Sequence, residues 1–206
     1  MDTTSTYYAM SAALDLAREA AEAGEVPVGA VVLDADGRII GRGRNLRETD
    51  GDPLAHAEVL AIRKAARNRR MLQNNLQKTH VMRIDDSRIS GNEMNGEISA
   101  DDADIEDSAD SESAGENRNV SMENAWNLAD CTLVVTLEPC PMCAGAALQT
   151  HIGCIVFGAW DAKLGACGSV WDIPRDPHVG ARPEIIGGLR EAECAGLLAQ
   201  FFACRR

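Results

Sequence analysis

Four side chains of this 206-residue sequence could do chemistry together: His56, Glu58, Cys140 and Cys143. Cys140 and Cys143 stand three apart in Glu138-Pro139-Cys140-Pro141-Met142-Cys143. On the first turn of a helix that spacing puts both sulfurs on one face. His56, far upstream, is the third donor of a nitrogen–sulfur set suited to zinc. Structural zinc sites close with four protein ligands, whereas three leave a position for water and imply catalysis. Glu58 is then a spare carboxylate that could move the protons of that water.

Taken singly, the motifs are weak. His-x-Glu arises by chance, and a solvated histidine at a helix start is its ordinary meaning. Pro-Cys-x-x-Cys by itself also fits a thioredoxin-like redox pair. The conjunction carries more, because each motif opens a predicted helix. Two helix N-termini would then flank the metal, and their partial positive charge favours thiolate over thiol. A separation of two does not bring His56 and Glu58 to one face of a regular helix. His56 is therefore expected at a non-helical entry, which Pro53 upstream permits. A structural zinc or redox module would instead require a fourth ligand or a reversible disulfide.

The elements that must position these residues follow from periodicity. Met10, Ala13, Leu14 and Ala17 recur at helical spacing over 5–23, with Gly24 as the stop. Val28–Leu33 and Arg38–Arg44 flank the turn signal Asp34-Ala35-Asp36-Gly37 and predict a hairpin. A polar loop, Asn45–Pro53, leads to a helix from His56 to about Arg70. Cys131–Leu137 is a continuous apolar run and predicts a strand buried on both faces. A helix over Met142–Gln149, a buried strand over Gly153–Gly158 and a short strand over Glu184–Ile186 come next. The last element is an amphipathic helix, Leu189–Arg206, with Leu197, Leu198 and Phe201 on one side. Two strand–helix–strand steps predict an α/β fold, a three-layer α/β/α sandwich with a mixed five-stranded sheet.

Residues 74–124 break this pattern. Thirteen Asp/Glu against four Lys/Arg give the segment −9 of the chain's formal charge of −12. The remainder is close to neutral, so the acidity does not exclude an RNA partner. Without an apolar period the segment reads as a disordered or loosely ordered insertion. It would interrupt one domain made of residues 1–73 and 125–206. So much negative charge in a nucleic-acid groove would weaken binding, and the segment is expected to project away from it. The cysteines number seven, an odd count. No secretory apolar region follows Met1, and nothing resembles a membrane span. A reducing cytoplasm and no membrane partner are the expectation. Cys131 and Cys154 read as core, while Cys167, Cys194 and Cys204 lack ligand spacing. Trp126 reads as packing.

His56-Ala57-Glu58 with Pro139-Cys140-Pro141-Met142-Cys143 resembles the signature of the zinc-dependent cytidine/deoxycytidylate deaminase superfamily. Longer stretches resemble the bacterial tRNA-specific adenosine deaminases, the TadA family. They are Glu25-Val26-Pro27-Val28-Gly29-Ala30-Val31, Asp52-Pro53-Leu54-Ala55-His56-Ala57-Glu58, Thr136 to Ala146, Gly158 to Ala166 with Gly168-Ser169, and Phe201-Phe202 with Arg205-Arg206. The resemblance covers 5–72 and 125–206, and it implies a cytidine deaminase-like fold. It further implies one Zn²⁺ per chain on His56, Cys140 and Cys143, with Glu58 as the catalytic acid–base. The implied reaction is hydrolytic deamination of the wobble adenosine to inosine in a tRNA anticodon stem-loop, by a homodimer. Asn45 matches a residue that contacts the base, and Asp161 one near the ribose, where a carboxylate can accept from the 2′-hydroxyl. Lys163, Phe202, Arg205 and Arg206 match positions bordering the anticodon loop. Core packing for Phe202 and solvated charge for the other three stand as alternatives. A deaminase of a free base or nucleoside, of guanine or cytosine type, would share the metal signature but need no anticodon surface. One departure stands out: Gly180-Ala181-Arg182 occupy the place of the family's Asn-His-Arg.

Overall fold

Apolar runs without alternation belong in the middle of a sheet covered on both faces. β1 (Gly29–Leu33), β3 (Thr132–Leu137) and β4 (Cys154–Ala159) are buried along nearly their whole length. β2 (Ile39–Arg44) and β5 (Glu184–Ile186) are partly exposed and form the edges. The order is β2-β1-β3-β4-β5, with β1 antiparallel to β2 and β3, and β3, β4 and β5 mutually parallel. The computed structural model describes residues 3–86, 126–180 and 182–205.

Alternation along each strand divides the core into two layers. Val31, Leu33, Val134 and Val156 face α1 (Thr3–Glu22) and α5 (Glu191–Ala203), where Met10, Ala13, Leu14 and Cys194 meet them. Ala30, Val32, Leu133, Val135, Ile155 and Phe157 face the other way. There they meet Ala57, Ala61 and Ala65 of α3 (Ala57–Asp86) and Ala144 and Ala147 of α4 (Pro141–Gln149). This is the expected α/β/α sandwich with a mixed five-stranded sheet. α2 (Arg47–Asp50) is a single turn in the loop before α3. The alanine stripe of α3 lies unusually close to β2, because Gly41 and Gly43 present no side chain. A Cβ on either would run into the α3 backbone at Ala61 or Ala57.

Element boundaries lie within three residues of the expected ones, with one larger exception. α3 continues past Arg70 to Asp86, into the segment read as loosely ordered. Residues 57–90 contain neither Gly nor Pro, and Met, Leu, Gln, Lys and Arg are strong helix formers. A polar composition removes a buried face, not the capacity to be helical. The rest of the insertion, 87–124, lies outside the described residues. Trp126 packs only in part. It is half exposed, and its ring centre lies 5.4 Å from that of His151. Cys131 and Cys154 are core, as are Cys167 and Cys194, and Cys204 is exposed. No helix among the described residues is long and apolar enough to cross a membrane.

Candidate metal centre

β3 delivers the chain to the site, and two helices begin there. Cys140 sits in extended backbone immediately before α4, whose first residue is Pro141, and its C=O accepts the Ala144 N–H at 2.9 Å. Proline at that position costs no hydrogen bond and fixes φ for the helix. Cys143 lies one turn into α4 and is fully buried. His56 precedes the first residue of α3, as the spacing argument required, and its C=O accepts from Leu60 N–H at 3.0 Å. The Asn45 Oδ1 accepts the Ala57 N–H at 3.0 Å, satisfying one free donor at the start of α3.

The His56 Nδ1 lies 3.5 Å from the Cys143 Sγ and 3.8 Å from the Cys140 Sγ. All three ligand atoms fall within 4.8 Å of one another, and no other His, Cys, Asp or Glu group of this kind occurs among the described residues. Tetrahedral zinc with Zn–S of about 2.3 Å and Zn–N of about 2.0–2.1 Å needs S···N separations of roughly 3.5 Å. The donors fit a zinc ion in both type and spacing. Their protonation is uneven. The Cys143 S–H and then His56 draw the Cys140 thiol down to about 4, while Cys143 is pushed upward. Hydrogen bonding to Cys140 raises the His56 imidazole. Coordination requires both sulfurs as thiolates and the imidazole neutral.

Glu58 is buried and stands outside the ligand group. Its carboxyl interacts with the Cys143 sulfur and the charges of Cys140 and His56, so it does converge on the site. Burial pushes it up to about 7. A carboxyl of that kind can both accept and return a proton near neutral pH.

The remaining expected site residues divide into two groups. Asn45 and Arg205 border one cleft of about 430 Å³, together with Glu25, Arg47 and Glu48. Arg205 is held by donation to the Gly24 C=O at 2.5 Å, with its guanidinium 4.2 Å from the centre of the Phe201 ring. Phe202 is half exposed, so core packing does not account for it. Asp161 and Lys163 lie on the loop after β4, where the Asp161 Oδ1 accepts the Lys163 N–H at 2.9 Å. Arg206 lies outside the described residues, as does Ala181. Gly180, in the departing tripeptide, has a φ of +69°, a region in which glycine is unstrained.

Sequence reasoning missed two carboxylates that shape these surroundings. Glu25 is buried and accepts the Thr49 N–H at 2.7 Å and its hydroxyl at 2.9 Å, fixing α2 beside the cleft. Burial raises the Glu25 carboxyl, but the hydrogen bonds from Thr49 and Glu48 outweigh it and leave the group below its usual range. Glu138, also buried, gathers the loop that carries Asp161. Its place between an apolar strand and the cysteine pair was the one available signal. A larger cavity, about 520 Å³, opens at the other end of the sheet beside Asp34, Asp130 and Glu184. Its lining includes none of His56, Cys140 and Cys143, which stand at the carboxyl end of β3, where open α/β sheets bind ligands.

Two family descriptions match the chain. The cytidine and deoxycytidylate deaminase zinc-binding region matches residues 3–84, which contain His56 and Glu58. A MafB19-like deaminase matches residues 68–175, which contain both cysteines. Among curated relatives, a tRNA(Ile)-lysidine synthase of Deinococcus radiodurans is 43% identical over 94% of this chain, which spans only 24% of that protein. The chain thus covers about a quarter of the relatives of that name. The tRNA-specific adenosine deaminase of Bacillus subtilis is 32% identical over 94% of this chain and 86% of its own length. A solved structure from work on A-to-I editing by tRNA:A34 deaminases has a TM-score of 0.61 and 29% identity. It matches 92% of this chain and 98% of that one. With the metal-ligand geometry, this agreement over nearly the whole length shows that the chain belongs to the tRNA-specific adenosine deaminase family of zinc-binding deaminases.

Proposed function

We propose that this chain hydrolytically deaminates the wobble adenosine of a tRNA anticodon stem-loop, giving inosine and ammonia. One observation carries the reading: a nitrogen–sulfur ligand set one short of four, with buried Glu58 beside it and not part of it. Relatives named for tRNA at 43% and 32% identity, and the tRNA:A34 deaminase structure, support the substrate. His56, Cys140 and Cys143 would hold one Zn²⁺ per chain. When bound, the ion supplies Lewis-acid polarisation and makes water nucleophilic near neutral pH. Glu58 takes a proton from the attacking water and delivers it to the ring nitrogen next to the reacting carbon. It then takes the proton of the new hydroxyl on that carbon and gives it to the amine, which departs as ammonia while the C=O forms.

The other residues bind and orient. The Asn45 Oδ1 is already held by Ala57, so contact with the base falls to its Nδ2 amide hydrogens. Asp161 accepts from the ribose 2′-hydroxyl, which favours RNA over DNA. Lys163, Arg205 and Arg206 meet phosphates of the anticodon loop, and Phe202 offers a ring face for stacking. Trp160, Leu164, Val170 and Trp171 are exposed on one loop, which supports a second copy of the chain as partner. The homodimer would work in the cytoplasm beside its tRNA. Glu58→Ala tests the assignment by zinc analysis and inosine assay together. One zinc per chain is retained and turnover falls by about 10²–10⁴-fold. Turnover close to wild type would overturn the role of Glu58.

A further inference from the structure

We propose that Glu138 is a positioning residue that clamps the loop bearing Asp161 and Lys163 to the metal-ligand helix, so that the RNA-binding side chains and the ligand set move as one unit. The inference rests on the reading above in one respect, namely that Asp161 and Lys163 face the RNA. The Glu138 side chain is 2% exposed, and no cation pairs with it among the described residues. A carboxylate buried without a cation is costly unless hydrogen bonds replace its water. Here every donor comes from one loop. The Asp161 N–H donates to Oε2 at 3.0 Å, and the Cys167 and Ser169 N–H groups donate to Oε1 at 2.9 and 3.0 Å. The Ser169 hydroxyl completes the set on Oε2.

The chain around this carboxylate is tied to the end of β4 and to the same loop. The Ala159 C=O accepts the Glu138 N–H at 2.8 Å, and the Pro139 C=O accepts the Ala166 N–H at 2.9 Å. Gly165 passes so close that a Cβ would collide with the carboxylate. Two residues after Glu138 the chain reaches the ligand Cys140. One charged group thus neutralises three backbone dipoles of the loop at a point rigidly joined to the metal site. Glu138 lies outside the ligand group and touches no reacting atom, so its effect on catalysis passes through Asp161 and Lys163.

Glu138→Gln keeps the shape but turns an amide NH₂ toward N–H donors. In the full-length protein three readouts are expected. Zinc stays at one per chain. Amide hydrogen exchange at Asp161, Cys167 and Ser169 accelerates by about tenfold or more. KM for the stem-loop rises while kcat falls less, and Glu138→Gln adds little in an Asp161→Ala background. Ser169→Ala, which removes only the hydroxyl donor, gives smaller changes in the same direction and serves if Glu138→Gln does not fold. Unchanged exchange at those amides, full additivity with Asp161→Ala, or loss of zinc together with activity would overturn the clamp. The exchange measurement needs no substrate. Faster exchange in a protein whose wild type ignores RNA would leave the clamp standing and remove the tRNA reading.

Discussion

Two residues apart, His56 and Glu58 could not share one face of a helix, and His56 avoids the conflict by staying outside α3, as the proposed ligand and base roles require. The Asn45 carboxamide takes up the Ala57 N–H in the next position, so the turn of chain between ligand and base is fixed from both sides. Asn45→Ala leaves that buried donor unsatisfied and should cost about 1–3 kcal/mol of stability by chemical denaturation. Zinc should also be lost more readily to a competing chelator, since His56 is then less firmly held. A variant as stable as wild type, and as resistant to chelator, would show that Asn45 serves only the substrate. This scale was the most legible in the sequence. The type and spacing of His56, Glu58, Cys140 and Cys143 are properties of the chain itself. The role of Glu138 was not legible, because three of its four donors are backbone amides 23–31 residues away, and an amide leaves no mark in sequence.

Among the elements, α3 does most to place the site, and two contacts hold it. Its alanine stripe rests on Gly41 and Gly43 of β2. Gly43→Ala drives a methyl group into the backbone at Ala57, next to His56. A loss of about 1–3 kcal/mol is expected, with weaker zinc binding. Further along, Arg69 grips Asp130 through both guanidinium nitrogens, tying α3 to the start of β3. Hydrogen bonding to Arg69 holds the Asp130 carboxyl below its usual range. A depressed pKa contributes stability above the unfolded value of about 3.9 and loses it as pH falls through the folded value. Asp130→Asn should therefore lower the melting temperature near neutral pH, and the gap to wild type should close in acid below about pH 4. Because Asp130 is nearly half exposed, the effect is modest. Strands were legible because apolar runs signal burial directly. The far half of α3 was not, because its helicity rests on propensity and the absence of Gly or Pro, with no apolar stripe to announce it.

For the molecule as a whole, charge is the property that bears most on an RNA partner. Most of the −12 resides in residues 74–124, and the part that carries the site is close to neutral. If the insertion stays clear of the groove, deleting 87–124 leaves melting temperature and turnover unchanged. A sharp fall in turnover at constant fold would show that the segment takes part in binding. The fold by itself does not choose between a nucleotide in an anticodon and a free base, since unrelated substrates share folds. In the proposed reading that choice falls to Asp161, Lys163, Phe202 and the arginines at the end of the chain. The most direct test is inosine formation by the zinc-loaded protein on an anticodon stem-loop with adenosine at the wobble position, beside free adenosine, guanine and cytosine. Inosine at the wobble position, with little or no turnover of the free compounds, is the predicted result. Turnover of a free base or nucleoside with none on the stem-loop would contradict it.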